Sequence, residues 1–119
     1  MSASKPHWFR VDVNVFTNPK IRRAIDAGGW AAYGLWQQGI AHSTEHLTDG
    51  WVDQPWPRIW GHKPATIRTL IDTGLWFEVP ITDASGWLIN DYHEYQPSRQ
   101  EWEAKSERQR KNAARRWSQ

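Results

Sequence analysis

The sequence predicts one small α+β domain followed by a basic C-terminal helix. Three observations predict this class. Stretches with apolar residues at helical spacing are bounded by proline and glycine, two short apolar runs have the length of β-strands, and cations gather at the C-terminal end. The chain has 119 residues, which is the length of a single ordinary domain.

The amino-acid composition excludes several classes of protein and of functional site. Ten tryptophans compensate for few aliphatic residues, because each can bury roughly 150–250 Å². The chain has no cysteine, which excludes disulfides, thiolate metal sites and cysteine nucleophiles. It has neither an apolar run that could cross a membrane nor the apolar N-terminal stretch of a signal peptide. We therefore expect a cytoplasmic protein that makes no membrane contact.

The first part of the chain is predicted to contain a strand and two helices. Residues 8–16 alternate between apolar and polar side chains, which is the period of a half-buried strand or extended segment. Asn18-Pro19 has the order of a helix cap and a first helical residue, and Gly28-Gly29 ends that helix. A second helix is predicted from Trp30 to about His46, because its apolar residues recur at helical spacing.

The middle of the chain is predicted to contain a short strand and two further helices. Trp51-Val52 is strand-like, and a short helix follows at 53–60, with Asp53 as its cap. His62-Lys63 forms a tight turn before a helix at 64–73. Gly74 stands where a left-handed residue ends this helix, so we predict a positive φ angle there.

Two more strands complete the predicted domain. Residues 76–79 and 87–89 are short apolar runs, and residues 80–86 between them have the composition of a hairpin loop. The resulting order is helix, helix, strand, helix, tight turn, helix and hairpin. This is the order of a winged helix-turn-helix over residues 1–97, with the helix at 64–73 as its recognition helix.

Residues 98–119 form the predicted basic tail. They carry seven Lys or Arg and three Glu, a net charge of +4, whereas residues 1–97 have a net charge of −2. Ser98 and Glu101 have the spacing of a capping box that begins a helix. Such asymmetry favours a polyanion or an acidic partner, although a solvated helix whose charges only keep it in solution has the same pattern.

Six short segments resemble a known family. They are Trp8-Phe9-Arg10-Val11-Asp12, Asn18-Pro19-Lys20, Gly34-Leu35-Trp36, His46-Leu47-Thr48-Asp49-Gly50, Gly74-Leu75-Trp76 and Asp91-Tyr92-His93-Glu94-Tyr95-Gln96-Pro97-Ser98-Arg99. Together they resemble the small winged-helix proteins of actinobacterial phages and prophages, which are often described as replication-initiation or replisome-organiser-like. The resemblance implies a winged-helix domain that acts on DNA in phage replication or regulation.

Contacts with duplex DNA are predicted on the recognition helix, the helix before it and the tail. Hydroxyl and guanidinium groups can reach phosphates and base edges, although the same residues also suit the solvent face of an ordinary amphipathic helix. The candidate DNA-binding residues are Arg58, Lys63, Thr66, Arg68, Thr69, Arg99, Lys105, Arg108, Arg110, Lys111, Arg115 and Arg116.

The charge of the predicted wing favours a different partner. Residues 69–98 contain no Lys or Arg and five acidic residues, whereas a wing that contacts phosphates usually carries cations. The alternative hypothesis is therefore a protein-interaction module that binds a host or phage replication protein without reading DNA. The sequence leaves the oligomeric state open.

The tryptophans fall into two predicted groups. Apolar stripes contain the residues predicted to be in the core, namely Trp30, Trp36, Trp60, Trp76 and Trp87. Trp56 lies between two prolines, and Trp102 and Trp117 lie in the polar tail. Exposed tryptophans are common at interfaces, so we predict partner contacts for these last three, although the tail could fold back and bury Trp102.

No motif indicates catalysis or a cofactor. The chain has no phosphate-binding loop, no dinucleotide fingerprint and no nucleophile elbow, so we predict neither an enzyme nor a bound cofactor. His42 and His46 have the spacing of two metal ligands on a helix. No third ligand is near them in the sequence, so we predict no metal site.

Overall fold

The fold is an α+β arrangement in which helices pack on a three-stranded antiparallel sheet. The computed structural model describes residues 6–79 and 85–118, with the backbone alone at 117 and 118. A 3-10 turn at Val15–Thr17 precedes the elements, which are α1 (Pro19–His46), β1 (Trp51–Asp53), α2 (Pro55–Ile59), α3 (Pro64–Asp72), β2 (Trp76–Glu78), β3 (Gly86–Ile89), α4 (Tyr92–Tyr95) and α5 (Arg99–Ser118). Residues 80–84 of the predicted hairpin loop lie outside the described residues.

Helix α1 consists of two arms that meet at Gly29. The Asn18 side chain accepts hydrogen bonds from the backbone N–H of Lys20 and Ile21, at 2.9 and 3.5 Å, and so caps the helix. Gly29 has φ 69° and ψ −166°, which interrupts the helix between an N-terminal arm (19–28) and a C-terminal arm (30–46). The predicted helix break is therefore confirmed. Neither α1 nor any other described helix is long and apolar enough to cross a membrane.

The sheet has the strand order β1-β3-β2. Val52 lies opposite Trp87, and Trp76 lies opposite Ile89, so these four side chains share the face that packs on the helices. The core is built around Trp76, which is fully buried and stacks on Trp87 with ring centroids 5.5 Å apart. A β-carbon on Gly39 would come within 2.8 Å of the Trp76 ring, so only glycine lets α1 approach this closely.

The end of α3 follows the predicted left-handed pattern. Gly74 has a φ of 81°, and the N–H of Leu75 donates to the carbonyl of Leu70 at 2.9 Å. Both leucines are buried. The predicted stop at Gly74 is confirmed, and it turns the chain directly from α3 into β2.

The predicted strand at 8–16 is wrong. Val13 is almost fully exposed, Val11 is exposed, and only Val15 of the apolar set is buried. The Asp12 carboxylate accepts a hydrogen bond from the N–H of Asn14 at 2.7 Å, which forms a turn where the strand would have continued. Gln96 takes the place of a partner strand: its Oε1 accepts from the N–H of Arg10 at 3.0 Å, and its Nε2 donates to the Arg10 carbonyl at 2.6 Å.

The start of α2 also differs from the prediction. Gln54, rather than Asp53, occupies the cap position, and no side chain caps the helix. The Asp53 carboxylate instead accepts a hydrogen bond from the Trp51 indole N–H. Since Asp53 still belongs to β1, its side chain lies on the sheet and does not reach the first turn of α2.

Candidate nucleic-acid interface

Helix α3 presents a narrow exposed face. Leu70 is fully buried, and Ile67 and Ile71 are half-buried beside it. Arg68 lies on the opposite, exposed side, and Lys63 is exposed at the cap position. Asp72 is also exposed and follows Arg68 by one helical turn, which places a carboxylate on the same side. The exposed face of α3 therefore offers few cations to a polyanion.

The two threonines of α3 are half-buried. Thr69 lies against α1, because a β-carbon on Gly28 would come within 3.0 Å of its methyl group. The Thr69 hydroxyl also donates to the Ala65 carbonyl at 3.1 Å. Thr69 therefore supports the crossing of α1 and α3, and its side chain is only partly exposed to solvent. Thr66 is half-buried in the first turn of α3.

The turn between α2 and α3 is anchored at both ends. Gly61 has a φ of 92°, and the N–H of His62 donates to the Pro57 carbonyl at 2.9 Å. The His62 ring forms a hydrogen bond with Gln38 of α1, and burial lowers the pKa of His62. Arg58 is exposed on α2 just before this turn. The turn thus holds α2 and α3 in a fixed relation to α1.

The first turns of α5 are attached to the body of the protein. The N–H of Arg99 donates to the Asp49 carboxylate at 2.7 Å, and the N–H of Glu101 donates to the Ser98 hydroxyl at 3.1 Å. The predicted cap at Ser98 is thus present. Ser106 is buried and Trp102 is half-buried, so the helix is shielded on one side through its second turn.

The remaining turns of α5 are exposed and basic. Every residue from 107 to 116 is exposed, and residues 108–116 contain five cations and no acidic residue. We call these five the cationic row, namely Arg108, Arg110, Lys111, Arg115 and Arg116. Arg108 and Lys111 lie on one face of the helix, since they are three residues apart. Closer to the body, Lys105 is exposed and Arg99 pairs with Glu103 at 3.0 Å.

One member of the cationic row is neutralised by a neighbour. The Arg110 guanidinium pairs with the Glu107 carboxylate at 2.7 Å. Both side chains are about half exposed, at 47% and 52%, so the pair contributes little to stability. Arg108 and Lys111 have no ion-pair partner among residues 6–79 and 85–118. Their charges are therefore not offset by a paired carboxylate among these residues.

The end of the sheet near α4 carries exposed carboxylates. Asp91 and Glu94 are exposed there, and Lys20 of α1 pairs with Asp91 at 3.7 Å. Glu78 is exposed at the opposite end of the sheet, across from Trp87, and no Lys or Arg occurs between residues 69 and 98. The charge of Glu94, followed by partial burial and the charge of Asp12, raises the pKa of Tyr95. Repulsion from Glu94 would disfavour a phosphate backbone at this end.

The tryptophans predicted to contact partners differ in their surroundings. Trp56 of α2 is half-buried and stacks against Trp60, which follows the helix, with ring centroids 6.1 Å apart, and its ring contacts that of His42 at 4.9 Å. It therefore joins α2 to the C-terminal arm of α1 instead of standing exposed. Trp102 is half-buried, and the side chain of Trp117 lies outside the described residues.

One exposed aromatic group was not predicted as a site. Trp30, predicted to be in the core, is 66% exposed, and Phe16 beside it is 50% exposed. Their ring centroids are 6.2 Å apart, and Tyr33 contacts both rings at 5.4 and 5.8 Å. We call these three residues the ring cluster. The signal in the sequence was Gly28-Gly29, because a helix break there frees Trp30 from the buried stripe that follows it.

Three other features of the described part of the chain bear on possible metal or ligand sites. Among the described residues, no three His, Cys, Asp or Glu side chains come together as metal ligands. The rings of His42 and His46 are 4.7 Å apart, and burial, followed by the charge of His46, lowers the pKa of His42. A cavity of about 170 Å³ lies between the N-terminal segment and the core, and its lining includes no residue of α3 or α5.

Comparisons with protein-family models, with curated proteins and with solved structures gave no match to this chain.

Proposed function

We propose that this chain is a winged-helix protein that binds duplex DNA and acts in the replication or regulation of a phage or prophage. The cationic row on α5 carries the proposal. It places five cations within nine exposed residues, on a helix that extends a body of net negative charge. Release of counterions from phosphates supplies most of the non-specific affinity for DNA, and clustered Lys and Arg side chains are what such binding requires.

The order of the elements supports the winged-helix assignment. Helix α1, strand β1, helices α2 and α3 and the strands β2 and β3 follow one another as in a winged helix. Helices α2 and α3 are joined by the short turn at Gly61, so α3 corresponds to the recognition helix. The segments that resemble winged-helix proteins of actinobacterial phages and prophages point to the same biological setting.

Phosphate contacts dominate over base contacts in the proposed complex. On α3 only Lys63, Thr66 and Arg68 remain as candidates for DNA contact, and Asp72 opposes them. The acidic end of the sheet cannot follow a phosphate backbone, so α5 must supply most of the affinity. We therefore expect weak sequence preference and strong dependence on salt.

A titration of duplex DNA at several salt concentrations tests the proposal. The double variant R108Q/K111Q should flatten the slope of log binding constant against log salt by about 0.9 for each phosphate that the variant no longer neutralises. The comparison variant is R99Q/R110Q, which removes the same charge from the same helix at positions already paired with Glu103 and Glu107 and should therefore flatten the slope less. An equal slope for both double variants and the wild type would refute binding through α5.

A second candidate function is a protein-interaction module, and the outer face of the sheet favours it. Phe77 and Leu88 lie opposite each other in register and are 50% and 37% exposed. Trp51 lies on the other side of Leu88 in the same row. Exposed apolar residues beside acidic ones suit a protein partner better than DNA. A wild-type protein that shifts no duplex DNA even at low salt would favour this candidate.

A further inference from the structure

The ring cluster is a preformed aromatic surface. The break at Gly29 begins a new helical arm at Trp30, and Phe16, which precedes α1 in the chain, packs against the first turn of that arm. Tyr33 is fixed from behind by Trp36, with ring centroids 5.9 Å apart, and its hydroxyl accepts a hydrogen bond from Gln37 Nε2 at 2.9 Å. The rings therefore hold their positions while the Trp30 and Phe16 faces remain open.

The segment of the chain that carries the ring cluster has a positive net charge. Residues 16–33 carry Lys20, Arg22 and Arg23 against Asp26, a net charge of +2, although residues 1–97 as a whole have a net charge of −2. Lys20 pairs with Asp91 at 3.7 Å. Arg22 and Arg23 are exposed and have no ion-pair partner in the part of the chain that the structure describes.

The ring cluster is close in the chain to the contact between α1 and α3. Gly28 lies against Thr69, and Trp30 follows Gly28 by two residues.

We infer that the ring cluster binds unpaired nucleobases, with Trp30 and Phe16 as stacking platforms and Arg22 and Arg23 as phosphate contacts. Exposed aromatic rings beside cations bind single strands with little sequence preference, because every base has a face that can stack. The local positive charge favours a nucleic acid over an acidic or neutral protein partner. The inference rests on the proposed function and extends it from duplex DNA to unpaired strands.

Binding to two related DNAs tests the inference. The probes are a blunt duplex and the same duplex with a single-stranded oligothymidine tail. The wild type should bind the tailed duplex more tightly, and W30A should lose about tenfold in affinity for the tailed duplex alone. W30F, which keeps an aromatic face, should recover part of the loss. W8A is the matched control, because Trp8 is 61% exposed and makes no ring contact with the described residues.

The outcomes separate this inference from the proposed function. If W30A binds both DNAs as the wild type does, or loses affinity equally for both, base stacking at the ring cluster is refuted. A third outcome is that the wild type does not bind the blunt duplex, while oligothymidine quenches the tryptophan fluorescence of the wild type and not that of W30A. This result would refute duplex binding and support base stacking at the ring cluster. The wild type could also self-associate, and W30A could abolish this self-association without changing the affinity for DNA. The ring cluster would then be a contact between protein chains, and the inference would be overturned.

Discussion

The side chain of Thr69 packs so closely against Gly28 that it would crowd a β-carbon at that position. That carbon would be 3.0 Å from the Thr69 methyl group, 3.1 Å from its hydroxyl and 3.0 Å from the β-carbon of Ala32. The N-terminal arm of α1 and helix α3 therefore cross at a contact that leaves room for glycine and little else. This crossing sets the distance between the α1 kink and the exposed face of α3.

We expect Gly28→Val to push α1 and α3 apart. Overpacking at such a contact lowers the free energy of unfolding by about 1–3 kcal/mol. Urea denaturation followed by circular dichroism measures the loss. Gly34→Val is the control, because a β-carbon at that helical position meets no atom within 4 Å. Equal losses in the two variants would mean that the Gly28–Thr69 contact is not what limits the approach.

We expect Gly74→Ala to destabilise the end of α3. A residue with a β-carbon at the observed φ of 81° is strained, and the left-handed conformation costs about 1–2 kcal/mol. Gly74→Asn should cost less, because asparagine tolerates this conformation. Thermal unfolding of the two variants gives the comparison. If alanine is tolerated as well as asparagine, the helix end must rearrange.

Gln96→Glu should detach the N-terminal segment at neutral pH. A carboxylate can accept from the Arg10 N–H, but it cannot donate to the Arg10 carbonyl, and an unmet buried group costs about 1–3 kcal/mol. Protonation restores a donor, so the deficit relative to wild type should grow as pH rises above about 4.3, the ordinary glutamate pKa. Unfolding of both proteins at acidic and neutral pH measures it. A deficit independent of pH would contradict this hydrogen-bond pattern.

The stability of the wild type should fall as the pH drops below about 6.5. Burial lowers the pKa of His42 and of His62 in the folded state, so below the ordinary histidine pKa the unfolded chain binds more protons. The contribution is complete above that pH and decreases on acidification. His42→Phe keeps a ring beside Trp56 and Trp60 without the titrating group, and it should flatten the dependence. An unchanged slope in unfolding free energy against pH would exclude His42 as the cause.

Local signals in the sequence predicted the elements whose ends are set by their own residues. Helix α3 is the clearest case, since Pro64 begins it, Gly74 ends it and the Leu75–Leu70 hydrogen bond closes it. The strand predicted at 8–16 failed because alternation alone cannot supply a partner. Gln96 is 86 residues away from Arg10, and it binds both backbone groups that a neighbouring strand would need.

The residues of the candidate site also fall into those that the sequence predicts and those that it does not. The cationic row could be counted from the sequence, because the charges of adjacent residues need no tertiary information. The orientation of Thr69 and the exposure of Trp30 could not be predicted, since both depend on how the two arms of α1 meet α3. Helical periodicity in the sequence carries no information on how two helices pack across a glycine.

The attachment of α5 at its first residue makes the helix a spacer. It is fixed where Arg99 meets Asp49, and each residue adds about 1.5 Å along the axis. Residue 116 therefore lies about 25 Å from the attachment point. A duplex repeats about every 34 Å. A protein that touched DNA with both its body and the far end of α5 would thus protect a footprint of about one helical turn, and shortening α5 would narrow that footprint in proportion.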